Sequence, residues 1–136
     1  MIDKSDEVFD RVMTYVMSQV SGLTEDNFDS DYVNEPSTFP HIYIVQAGSR
    51  TDIDGQDDRF QENRAFLDYE VTVYSNKAGE KRSECRVITG HIDDYMQRMN
   101  FSRESSAFVP NMANNSIARL VSRYTVLADN NNFYRR

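Results

Sequence analysis

The chain has 136 residues, enough for one domain with a single core, and its 39% hydrophobic and 27% charged residues place it in the globular class rather than among disordered chains. Its net charge of −7 resides in the first segment: residues 1–40 hold nine acids against Lys4 and Arg11, while residues 41–136 balance thirteen acids with thirteen bases. That distribution argues against a sequence-independent grip on nucleic acid, which needs clustered Lys and Arg, and no apolar stretch approaches the ~18 residues of a membrane span.

The N-terminal MIDKSDEVFD is acidic and lacks an apolar signal-peptide core, so the chain is expected to stay in the compartment where it is made. A helix is predicted over about residues 4–20, because Val8, Phe9, Val12, Met13, Val16 and Val20 recur at three- and four-residue spacing. Asp3 or Ser5 can cap its start, Asp6 and Glu7 suit the positive end of its dipole, and Ser21-Gly22 ends it. Residues 23–40 are acidic, hold two prolines and have no periodicity, which reads as an extended surface connection.

His41 to Ala47 has the β-branched and aromatic residues of a short strand. A polar loop, residues 48–63, leads to the clearest strand, Arg64 to Tyr74. There Ala65, Leu67, Tyr69, Val71 and Val73 point one way and Asp68, Glu70 and Thr72 the other, the alternation of a half-buried strand. A turn at Ser75 to Gly79 leads into a second helix over about 80–99, with Cys85, Ile88, Ile92, Tyr95, Met96 and Met99 as its stripe. Gly90 inside that helix costs roughly 1 kcal/mol relative to Ala, which a close approach of helix to sheet would explain. A short strand is expected near Ala107–Val109, then a turn cluster at 110–115. The last strand, Ile117 to Leu127, sets Leu120, Tyr124 and Val126 on one face and Arg119, Val121 and Arg123 on the other. The tail, residues 129–136, reads as polar and frayed, or ordered only by a partner.

The order helix, strand, strand, helix, strand, strand makes one α+β domain over residues 1–136. It is a two-layer sandwich with a mostly antiparallel four-stranded sheet and both helices packed on one face. If strands 64–74 and 117–127 are neighbours, Asp68 and Glu70 can pair with Arg119 and Arg123 across the open face.

Candidate chemistry is sparse. The loop Asp52-Ile53-Asp54-Gly55-Gln56-Asp57-Asp58 is acidic, but counting from Asp52 as in an EF-hand puts Asp57 where Gly is needed and Asn63 where Glu is needed. It reads as a solvated loop. Cys85 and His91, six residues apart on a helix, diverge by about 120°, and Cys85 lies on the apolar stripe, where a thiol acts as a small hydrophobe. As the sole cysteine it excludes internal disulfides and multi-cysteine metal sites. Asp68 and Glu70 lack the closely following lysine of a metal-dependent nuclease strand; Thr72 stands there. No phosphate-binding Gly loop, GxSxG, HExxH or CxxC is present in the sequence. No catalytic residue, cofactor or metal is expected, and the chain is read as a non-enzyme. Two sequons, at Asn100 and Asn114, read as chance matches without a secretion signal.

The eight Tyr and eight Phe include several outside the stripes: Phe28, Tyr32, Phe39, Phe60, Phe108, Phe133 and Tyr134. Aromatics beside arginines on loops and tails suit protein interfaces, and equally suit side chains folded back over the edges of a small core.

With this layout, the chain resembles the tail terminator (tail completion) proteins of long-tailed bacteriophages. The residues that carry the resemblance are the N-terminal amphipathic helix, FPHIYIVQAG after a Pro-containing linker, FLDYEVTVYSN running into a helix closed by IDDYMQRM, and a terminal strand IARLVSRYTV. The acidic segment 23–40 is where the chain departs from that pattern. The resemblance implies a virion protein assembled in the host cytoplasm and forming a sixfold homo-oligomeric ring. Such a ring would cap the tail tube, meet the head connector or neck protein, and let DNA pass its lumen without specific binding and without a membrane. Interface candidates are Asp52, Asp57, Asp58, Arg59 and Phe60 in the polar loop, Arg119 and Arg123 on the last strand, and Phe133, Tyr134 and Arg135 in the tail. Another neck protein, a small metal-dependent nuclease using Asp68 and Glu70, and a cellular adaptor domain are the alternatives.

Overall fold

The computed structural model describes residues 2–31, 36–51, 64–110 and 115–134. Helix α1 spans Ser5–Gln19 and α2 spans Lys81–Arg98; the strands are β1 (Phe28–Asp29), β2 (His41–Thr51), β3 (Ala65–Ser75), β4 (Ser102–Phe108), β5 (Ala118–Ala128) and β6 (Phe133–Tyr134). The fold is α+β, as the alternating and helical periodicities require. The sheet corrects the four-strand expectation: it is a mixed sheet of six strands in the order β1-β2-β3-β5-β4, with β6 also paired to β5. Its four long strands are joined antiparallel, whereas β1 lies parallel to β2, with Phe28 opposite Ile42.

One side of the sheet carries the main core. Val8, Val12 and Val16 of α1 and Cys85, Ile88, Ile92 and Met96 of α2 bury against Ile42, Ile44, Leu67, Tyr69, Val71, Val73, Leu120, Tyr124 and Val126. The sequence stripes of both helices and of β3 and β5 are therefore the core faces, and both helices cover the same side. Tyr69 and Tyr124 bring phenols into this layer and each donates a hydrogen bond, to Gln46 Oε1 (2.8 Å) and Asp93 Oδ1 (2.9 Å). Burial, more than the nearby acids, holds both phenols far above their ordinary pKa, so they stay protonated donors.

The helix ends are specified locally. Asp3 sits one residue ahead of the N-cap position Lys4, and its Oδ1 accepts from the Ser5 amide (2.9 Å) and hydroxyl (2.7 Å), which lowers the Asp3 pKa. Helix α2 closes in a Schellman motif: Asn100 takes φ 71°, its amide donates to Gln97 O (3.0 Å), and the Phe101 amide donates to Met96 O (3.0 Å). Phe101 and Met96, the paired apolar residues of that motif, are both in the core.

Strand β2 runs on to Thr51, through the start of the loop expected from residue 48, and three further stretches differ from expectation because short or two-sided strands leave no periodicity to read. The 23–40 connection contains a 3₁₀ turn, Glu25–Asn27, capped by Thr24, and then β1; Asn27 Nδ2 donates to Pro40 O (2.7 Å) and so ties β1 beside the start of β2. Strand β4 begins at Ser102 rather than near Ala107, since nearly all of it is exposed and its serines show no alternation. The tail is not frayed up to Tyr134: Asp129 Oδ1 accepts from the Asn131 and Asn132 amides, and the turn returns the chain as β6, with Phe133 packed on the core.

Gly90 is a further correction. It is exposed, and a Cβ built there meets nothing within 4 Å, so no close approach to the sheet accounts for it. Gly90→Ala is expected to stabilise by about 1 kcal/mol, because only the backbone freedom of the unfolded chain changes. Thermal melting checks this: a rise of a few degrees is expected, and a fall would contradict it.

Candidate interaction surfaces

The side of the sheet away from the helices is divided. At one end lie ion pairs between neighbouring strands: Glu70 of β3 stands opposite Arg123 of β5 (3.6 Å), and Asp68 binds Arg50 of β2 (3.1 Å), whose guanidinium lies 5.6 Å from the Phe66 ring. Half of the expected cross-strand pairing is thus present. Asp68 does not meet Arg119, because the register places it opposite Thr125 and places Arg119 opposite Tyr74. These pairs are exposed enough to contribute about 0–1 kcal/mol each, so they mark a wet face rather than hold it together. At the other end the face is not wet: Tyr43, Tyr74 and Ile117 bury together, with Phe39 and Val45 against them.

A second surface forms where the first turn of α2 meets the ends of β4 and β5. Lys81, Arg82, Phe108, Ile117 and Arg119 line a cavity of about 280 Å³ there. The Arg82 guanidinium lies 4.4 Å and that of Arg86 5.2 Å from the Phe108 ring centre, and Lys81 Nζ donates to Asn115 O (3.1 Å). Arg82 and Arg86, four residues apart, share one helix face, but that spacing does not name the Phe108 ring they meet.

The third surface is the outer seam of the two helices. Tyr15 stacks on Tyr95 (4.7 Å, 24° between planes), Arg11 lies over Tyr95 (5.8 Å) and Arg98 over Tyr15 (5.4 Å), beside a shallow apolar groove of about 470 Å³. The sequence treated Tyr95 as a core residue only; Arg11 and Tyr15 at i,i+4 and Tyr95 and Arg98 at i,i+3 are the pattern behind this ladder.

The sequence matches no protein-family model and no curated protein. Function must therefore be argued from these surfaces. The sequence-derived candidates do not converge on one of them. Arg119 and Arg123 lie on one face of β5 about 13 Å apart along the strand, the first in the α2 cavity and the second in the ion-pair ladder. Phe133 and Tyr134 lie at the far end of β5, near Lys4, with Phe133 packed inward and Tyr134 41% exposed. Asp52, Asp57, Asp58, Arg59, Phe60 and Arg135 lie outside the described residues, as does Tyr32. Of the remaining aromatics, Phe28 is buried, while Phe39 and Phe108 pack against core clusters, so these three close the core's edges.

Among the described residues no group of three or more His, Cys, Asp or Glu is placed to hold a metal ion, and no helix is long and apolar enough to cross a membrane. Cys85 is fully buried, with its thiol directed at Val73 O (3.4 Å), and burial pushes its pKa up to about 12. A neutral, enclosed thiol is a packing group rather than a nucleophile.

Proposed function

We propose that this chain is a structural assembly protein of the tail-terminator type. In this reading copies form a ring that caps a phage tail tube, presents a face to the head connector, and lets DNA through its lumen. The observation that carries the reading is the make-up of the outer surface: arginines laid over aromatic rings at the helix seam and at Phe108, beside the ion-paired sheet face. Arginine and aromatic side chains supply contact area and charge, and they dominate the energetics of protein interfaces. The element order that the resemblance rests on, with β2, β3, β5 and β4 joined antiparallel behind two helices, supports it further. An acidic chain also suits a channel that DNA must cross without sticking.

The segment between β2 and β3 is assigned to contacts with a neighbouring copy or with the tube. Asp57→Ala, Asp58→Ala and Arg59→Ala combined are expected to weaken ring or tube assembly while leaving the melting temperature unchanged. Electron microscopy of tubes with the variant and a thermal melt are the measurements. Unchanged assembly removes the loop from the interface, and binding to a portal or connector alone would make the chain another neck protein.

A further inference from the structure

The two edges of the sheet carry opposite charge. At the β1 edge, Glu25, Asp26 and Asp31 are exposed, and none of them is ion-paired among the described residues. At the β4 edge, Arg82 and Arg86 are exposed and lack a carboxylate partner among the described residues, both lying instead over Phe108 at the end of β4. The acids closest to them in sequence are committed elsewhere: Glu80 pairs with Lys77 (3.0 Å) and Glu84 accepts from the Ser75 hydroxyl (2.6 Å). Arg103 of β4 is engaged by Asp93 (3.5 Å), and Glu104 is the exposed acid of that strand. The β4 edge also offers seven largely exposed residues whose outer backbone groups face no further strand among the described residues.

We propose that the acidic β1 edge of one copy docks against the basic Arg82–Arg86–Phe108 edge of the next. The occupant of this surface is a second copy of the chain, argued from charge complementarity between two edges that the sheet order holds on opposite sides of the protomer. A contact between different patches on two copies is heterologous, and repetition of it closes a ring or propagates a filament. The inference rests on the ring reading above and locates its contact. The cavity beside Phe108, with Lys81 at its rim, receives a carboxylate side chain, and the stacked guanidinium groups keep their charge available at the surface. Opposed charges steer the encounter and set its register, so association falls as salt rises.

Two variants test this, one per edge: Arg82→Ala with Arg86→Ala, and Glu25→Gln with Asp26→Asn and Asp31→Asn. The substituted side chains are exposed, and a thermal melt verifies that each variant folds. Light scattering at low salt is expected to show assembly for the unmodified chain and only the 15.8 kDa protomer for each variant alone. An equimolar mixture is expected to give a heterodimer and nothing larger, because one intact acidic edge meets one intact basic edge and the two neutral edges stop growth. The unmodified chain is expected to dissociate between roughly 0.05 M and 1 M salt, a readout free of substitution. Variants that assemble like the unmodified chain, a mixture that stays monomeric, or an unmodified chain that is monomeric at every concentration would each overturn the proposal. A ring that caps tubes yet ignores both sets of substitutions sinks this contact and leaves the proposed function. A ring built through these edges that never engages a tube does the reverse.

Discussion

Phe101→Ala is expected to destabilise the protein by about 3–5 kcal/mol, a large share of the 5–15 kcal/mol typical of a domain. Phe101 is fully buried and lies at the meeting point of three parts of the fold. Its amide closes the Schellman motif on Met96, its ring packs edge-on against Tyr69 (5.3 Å, 85°), and Phe133 of β6 packs on it at 5.4 Å. Truncation removes the transfer free energy of a phenyl ring and leaves a cavity beneath β6. Rigid neighbours on α2 and β3 cannot collapse into that cavity. Urea unfolding should show a lower midpoint at unchanged slope, and a loss under about 1 kcal/mol would contradict this packing. The same truncation takes the Phe101 ring from under Phe133 and leaves β6 held at that residue by the Asn100 Nδ2 bond to Phe133 O (3.0 Å), so in the variant β6 should lose protection from hydrogen exchange before β5 does.

Acid should destabilise the fold through His41. This side chain is only 6% exposed, and neither ring nitrogen has a hydrogen-bond partner among the described residues; the Tyr74 ring lies 6.3 Å away. Burial lowers its pKa below the ordinary 6.5, and the Asp29 carboxylate opposes that shift only in part. The sign follows from proton counting. Below pH 6.5 the unfolded chain takes up a proton that the folded chain refuses, so stability is complete above that value and falls as pH drops toward the folded-state pKa. His41→Phe should flatten the stability profile between about pH 7 and pH 5. An unchanged slope in the variant would show that His41 is not the group responsible. The depressed carboxylates Asp3 and Asp129 contribute at lower pH, since each starts from 3.8 and moves down.

Periodic elements were legible in the sequence, and aperiodic ones were not. The stripes Val8–Val12–Val16 and Cys85–Ile88–Ile92–Met96 and the alternation of β3 name core residues correctly, because burial on one side forces a repeat into the sequence. Strand β1 is two residues long, and β4 is exposed on both sides; neither imposes such a repeat. The Asp129 turn was signalled by the Asp-Asn-Asn-Asn run, but the frayed-tail reading discounted the Phe133-Tyr134 that follows it. Gly90 misled because its cost in a helix suggested a packing reason where the structure has open space. The charged surfaces divide in the same way. The Glu70–Arg123 pair follows from strand neighbourhood, whereas Asp68 chose Arg50 because register, not composition, decides which charges meet. The stacking of Arg82 and Arg86 on Phe108 joins α2 to β4 and depends on tertiary placement, so no local pattern announces it.

The central claim is that this chain works by assembling with copies of itself. The measurement that tests it most directly is the solution mass by light scattering across a concentration series at low salt. The account predicts a hexamer, or a 15.8 kDa protomer that converts to a hexamer as concentration rises. A protomer that stays monomeric throughout the series would contradict it.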